Sequence, residues 1–177
     1  EVATVRDWLR ELRAQTDPLL RRANVIVRPH PHHAGQWEGV DLFEFGPMVV
    51  WPRGGVVPQT DGQRNDFYDT LYHAGAIVGL NTSAQIEASI LGRPVLVLVG
   101  PADSASRKGT FETLHFRYLS DAEHGIATVA ETSAEHFAQL AEALKHPPVR
   151  RDFVREFLRP HGLDRPASPI LADAIER

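Results

Sequence analysis

The sequence predicts an α/β protein, a three-layer α/β/α sandwich on a parallel sheet with a C-terminal helical arm. Three observations lead there. Helical and strand patterns alternate through the middle of the chain, the order that parallel strands and crossover helices produce. The strand segments, such as "AIVGL" at 76–80 and "VLVLVG" at 95–100, are apolar throughout rather than alternating, so they need cover on both faces. At 177 residues the chain accommodates one full-sized core and not a second domain of comparable size.

The elements follow in order. Val5, Trp8, Leu9 and Leu12 recur at helical spacing, and Pro18 closes that segment. "NVIVRP" is a short β-branched run that leaves the sheet into the extended loop "HPHHAGQW". "PMVVWP" repeats the pattern at 47–52, and the Gly, Pro and Asp cluster "RGGVVPQTDGQRND" behind it reads as a long loop. Next come the helix "DFYDTLYHAG" with Phe67 and Leu71 inward, the strand "AIVGL", the helix "SAQIEASIL" and the strand "VLVLVG". After a poorly patterned stretch containing "FETLHFRYL", the strand "GIATVA" precedes the helix "SAEHFAQLAEALKH". "RDFVREFL" and "PASPILADAIER" are helical, and Pro147 and Pro148 mark a hinge between a domain over 1–146 and an arm over 147–177.

Composition narrows the function. A formal net charge of −4 with scattered Lys and Arg gives no electrostatic footprint for nucleic acid. The absence of cysteine excludes disulfides and thiolate metal sites. No apolar run approaches the roughly 20 residues of a membrane span. The opening "EVATVRDWLRELRAQ" is amphipathic, with charges of both signs, unlike a secretory signal, and this predicts a cytoplasmic protein. The chain starts without methionine and inside a helical pattern, as a piece of a longer protein would.

The most informative stretch is "GLNTSAQIEASILGRPV", residues 79–95. Thr82 with Gln85 fits a capping box, and Gly92 with Pro94 fits the helix stop. The tip of this helix follows a parallel strand directly, so its amides and positive dipole end face the carboxyl edge of the sheet, where ligands bind in doubly wound folds. Small residues at 82–84 let a phosphate approach the backbone, although any helix needs a cap. Glu87 lies one turn further on, among aliphatic residues, and a carboxylate there needs a partner. Three readings stay open for it: an ion pair with Arg93 or another arginine, a solvent-facing position, or an acceptor for a diol.

"DTLYHAGAIVGLNTSAQIEASILGRPVLVLVG" resembles the core of the C-terminal, nucleotide-binding half of GT-B glycosyltransferases. It is similar to bacterial surface-polysaccharide enzymes, including CDP-glycerol glycerophosphotransferase-like and capsule-export-linked transferases, and more distantly to nucleotide-sugar 2-epimerases. The resemblance implies a Rossmann-like domain that is one half of a GT-B fold. It implies that Thr82, Ser83 and Ala84, with Asn81 before them, meet the donor's pyrophosphate and that Glu87 meets the ribose. "VRPHPH" is similar to a basic-x-His-Pro segment, which implies that Arg28 and His30 stabilise the leaving group. The implied partner is a UDP-, CDP- or GDP-linked donor, together with an N-terminal domain that carries the acceptor. No cofactor or metal is called for. The implied place of work is the cytoplasmic face of the membrane. Gly75 stands where relatives commonly carry Asp, so the donor's identity does not transfer. An epimerase-like isomerase and a non-catalytic nucleotide-binding or scaffold module are the alternatives.

Other clusters carry weaker signals. In "HPHH", His30 and His32 share one side of an extended segment, a zinc-like pair that no second cluster completes. "WPRGG" brings Arg53 and two glycines toward the nucleotide base, or is an ordinary turn. Asp66, Asp69 and His73 lie at helical spacings on the helix before the key strand. His73 joins the nucleotide-binding set through the resemblance, and Asp66 is either part of the site or a cap. His115, Arg117 and Tyr118 could offer a lid or sugar contacts, but core packing by Phe116, Leu119 and Tyr118 is the favoured reading of most of that stretch.

Overall fold

Helix α1 spans Val2–Ala14 and presents Leu9 and Leu12 to the interior, with Val2, Val5 and Trp8 packed alongside, as the apolar spacing predicts. The computed structural model describes residues 1–79, 82–99, 113–120, 125–147, 153–162 and 164–176, apart from the side chains of residues 114, 115 and 154. Pro18 opens a helix rather than closing one. It occupies the first position of α2, Pro18–Arg21, where its missing N–H costs nothing, and the Asp17 carboxylate accepts from the Leu19 N–H.

Among the described residues every strand pairing is parallel. Strand β1 (Val25–Val27) pairs with β2 (Met48–Val50) in the register Val25 to Met48 and Val27 to Val50. Strands β3 (Ile77–Val78), β4 (Val95–Leu98) and β5 (Ala127–Ala130) form a second set in the order β3-β4-β5. One core joins the two sets: Val27 and Val50 share a cluster with Leu96, with Phe137 and Leu140 of helix α6 (Ser133–Lys145), and with Leu9 and Leu12. The architecture is therefore α/β with parallel sheets. Val95, Leu96 and Val97 are buried, as the unbroken apolar run requires. On β1 and β2 that expectation is not met, because the register neighbours Ile26 and Val49 are 50% and 46% exposed and form an open face.

Helix α3, Asp61–Tyr72, begins five residues earlier than its apolar pattern suggests. Thr60 and Gln63 form a reciprocal capping box, which converts the end of the expected long loop into a first helical turn. In helix α4, Ala84–Ile90, the reverse holds. The expected Thr82–Gln85 box is absent: Gln85 turns inward, is fully buried, and neither polar atom of its amide has a partner among the described residues. Thr82 Oγ1 instead lies 3.4 Å from the Ala84 N–H. The stop is as expected. Gly92 takes φ +69°, its N–H donates to Ser89 O, and the Arg93 N–H donates to Ala88 O, the double closure of a Schellman end.

Helix α5, Leu114–Leu119, buries Phe116 and Leu119 and leaves Tyr118 exposed, stacked at 4.9 Å on Phe157. Phe153 is buried against Leu71, Ala88, Val95, Leu119 and Ile126, and the π-helical turn Val154–Leu158 adds Phe157 and Leu158 to that cluster. Helix α7, Ala167–Ile175, buries none of its residues. The Pro147–Pro148 hinge falls partly outside the described residues. No helix among the described residues is long and apolar enough to cross a membrane.

Candidate functional site

The chain leaves β1 at Arg28 and β2 at Trp51, both at the carboxyl end of the strand. With the first half of α3, these exits line an open cleft of about 350 Å³ bordered by Pro52, Val56 and Pro58. Its polar floor is a connected network. The Trp51 indole Nε1–H donates to both oxygens of Asp66, at 3.0 and 2.8 Å. Arg28 Nη1 lies 3.8 Å from Asp66 Oδ2 and donates to Thr70 Oγ1 at 3.0 Å, and Thr70 donates in turn to Phe67 O. The guanidinium also lies 5.1 Å from the centre of the Phe67 ring. Burial lowers the Arg28 pKa while Asp66 opposes that shift, so the cation is retained at neutral pH.

The side chains expected from sequence fall into separate groups. Arg28 lines the cleft; His30 does not. His30 is exposed and heads a 3-10 helix, Pro31–Trp37, which replaces the expected extended loop because Pro31 supplies its first residue. His30 Nδ1 accepts from the His32 N–H at 3.3 Å, and its ring lies 5.3 and 5.5 Å from those of His32 and His33. Among the described residues, no group of three His, Asp or Glu side chains is placed to hold a metal ion. Arg53 is exposed in the turn behind the cis Trp51–Pro52 peptide. His73 caps the far end of α3, roughly 10 Å further along the axis than Asp66 at the usual helical rise.

Asn81 lies outside the described residues. Thr82 and Ala84 are half-buried and Ser83 is exposed, and the Gln85 and Ile86 amides donate to Thr82 O and Ser83 O. Much of the tip's donor capacity is thus spent on its own first turn. Glu87 is half-buried, burial raises its pKa above the usual carboxylate range, and it has no hydrogen-bond or ion-pair partner among the described residues. It does not pair with Arg93, whose guanidinium instead lies 5.1 Å from the Tyr72 ring centre. Sequence reasoning missed the Trp51–Asp66 pair, because Trp51 was absorbed into the strand and Asp66 into a helix start. The Thr60-x-x-Gln63 signature, taken as the true cap, would have put Asp66 in the helix interior and freed it for a site role.

One glycine fixes how the turn between Pro52 and Val56 packs on the 3-10 helix. Gly55 is buried at φ +54°, and a Cβ there would lie 2.8 Å from Ala34 Cβ and 3.1 Å from Pro31 Cα. Gly55→Ala is therefore expected to destabilise the protein by about 2 kcal/mol, from the left-handed conformation and the clash together. Gly54→Ala, whose Cβ would meet nothing within 4 Å, is expected to be close to neutral. Thermal melts of the two variants check this, and equal melting temperatures would refute it.

Comparison with protein-family models, with curated proteins and with solved structures finds no match to this chain.

Proposed function

We propose that the chain is the donor-binding half of a glycosyltransferase-like enzyme that transfers a glycosyl or glycerophosphoryl group from a nucleotide donor in surface-polysaccharide synthesis. In this reading it works with an N-terminal domain holding the acceptor, on the cytoplasmic side of the membrane. The observation that carries the proposal is Glu87, a half-buried carboxylate without a partner among the described residues, one turn from a small-residue helix tip. Ribose hydroxyls would supply the donors it lacks. The exposed Ser83 hydroxyl is the group offered to the phosphates, since the tip amides are largely engaged.

Calorimetric titration of UDP, CDP and GDP tests this reading. One of them is expected to bind the wild type, and Glu87→Ala is expected to weaken that binding by roughly 10- to 100-fold, the range for losing charge-assisted hydrogen bonds. Equal affinity in both proteins would remove Glu87 from the site. A non-catalytic nucleotide-binding module is the second reading, favoured by the position of His30 outside the cleft. Binding without turnover, once the missing half is supplied, would select it.

A further inference from the structure

We propose that the cleft between β1, β2 and α3 is a carbohydrate subsite, in which the Trp51 indole is the platform for one face of a pyranose ring and Asp66 with Arg28 takes a pair of vicinal hydroxyls. The inference rests on the proposed function only for the expectation that the sugar belongs to the donor. The cleft chemistry stands apart from Glu87.

Four features favour a sugar. Trp51 is 48% exposed, yet both oxygens of Asp66 hold its indole N–H, so a large aromatic surface is presented at a fixed angle. The electron-rich face of an aromatic ring attracts the polarised C–H groups on one side of a pyranose. The second feature is the pairing on the floor. Asp66 is an acceptor and Arg28 a donor, 3.8 Å apart, and among the described residues the Nε and Nη2 groups of Arg28 have no partner. A hydroxyl both donates and accepts, so each oxygen of a 1,2-diol satisfies the carboxylate and the guanidinium together.

The third feature is charge. Asp66 offsets Arg28, and the N-terminus of α3 next to them is closed by the Thr60–Gln63 box, leaving little to attract a phosphate. A neutral polyol fits better. Fourth, none of the remaining lining residues, Pro52, Val56, Pro58, Gly62 and Gln63, is aromatic, so a flat nucleobase would find one aromatic face and no second to complete a stack. The volume of about 350 Å³ is at the lower end for small-molecule sites, suited to a single ring.

Ligand-observed saturation-transfer NMR tests the subsite, with the methyl pyranosides of glucose, galactose and mannose as probes and cytidine and uridine as competitors. At least one pyranoside is expected to receive saturation from the wild-type protein at millimolar concentration. Two variants should reduce its affinity at least tenfold. Trp51→Ala removes the platform; Gly62→Leu puts a side chain on the α3 turn that lines the cleft, where an added Cβ meets no atom within 4 Å, so this variant should fold. Leu171→Ala, at an exposed position outside the cleft lining, should leave the pyranoside signal unchanged. No signal from any pyranoside, a signal that survives both cleft variants, or displacement of the sugar by cytidine or uridine would each overturn the subsite. Loss of the nucleotide reading is recognised separately: UDP, CDP and GDP would bind wild type and Glu87→Ala alike, while the pyranoside signal still depended on Trp51.

Discussion

Replacing Arg13 by methionine is expected to destabilise the protein by about 3 kcal/mol, a fall of roughly 6–12 °C in melting temperature for a chain of this size. The Arg13 guanidinium leaves the last turn of α1 and donates to Arg21 O at 2.9 Å, to Ala23 O at 2.8 Å and to Phe45 O, with Leu20 O at 3.5 Å. Among the described residues it has no carboxylate partner. It spends its charge on main-chain carbonyls from the α2 exit and from the turn before β2, the segments that deliver the chain into β1 and β2. Burial lowers its pKa, and arginine nonetheless stays protonated at neutral pH. Methionine keeps much of the aliphatic stem against the core and removes all the donors, so the loss reports hydrogen bonding rather than packing. Arg13→Lys, a compact charge without the planar fork, should recover only part of it. A melting temperature for Arg13→Met within about 2 °C of wild type would show that water replaces these bonds freely.

The parallel α/β character was legible because it depends on local signals. Continuous apolar runs such as Val95–Leu98, Pro and Gly punctuation, and helical spacing in α1 and α6 all point to the same arrangement. Three features were not legible, each for a physical reason. Val25–Val27 and Met48–Val50 have fully apolar sequences, yet Ile26 and Val49 face an uncovered side, because composition reports what a strand tolerates and not what lies over it. Two capping signatures of the same form compete at 60–63 and 82–85; only the first forms, since the second glutamine is drawn into the core. Pro18 read as a terminator and Pro31 as part of an extended loop, but each sits at the first position of a helical turn, where proline is favoured.

The site was legible one side chain at a time and not as a geometry. Arg28 was marked by the resemblance of "VRPHPH" to a basic-x-His-Pro segment, and the structure puts it in a cleft. Its partners, Trp51 and Asp66, are 15 residues apart in sequence and meet only because β2 and α3 pack side by side. His30 and His73 stand outside the cleft, one turned into its own 3-10 helix and the other carried to the far end of α3. Glu87 was singled out as a carboxylate in need of a partner, and it still lacks one among the described residues.

Acidification is expected to weaken the fold through one residue, His136, and the sign follows from its surroundings. The ring is fully buried on α6, and its Nε2 accepts the Trp8 indole N–H at 3.0 Å, so the neutral ring carries its hydrogen on Nδ1, which has no partner among the described residues. Protonating Nε2 would set two donors against each other and leave a cation among Trp8, Phe137 and the core. Burial accordingly lowers the pKa from the ordinary 6.5 to about 4, with Glu11 opposing the shift. Between those values the unfolded chain takes a proton that the native protein refuses. Stability therefore rises with pH across the window, is fully present above pH 6.5 and is lost as the pH falls toward 4. From pH 7 to pH 5 the loss is about 2 kcal/mol, approaching about 3 kcal/mol near pH 4. Urea unfolding at the two pH values measures it. His136→Gln offers an amide oxygen to the same indole and does not titrate, so its stability should change about 2 kcal/mol less than that of wild type over the same interval. If both proteins lose stability equally, the acid sensitivity belongs to the carboxylates instead, and the Trp8–His136 contact joins α1 to α6 without responding to protons.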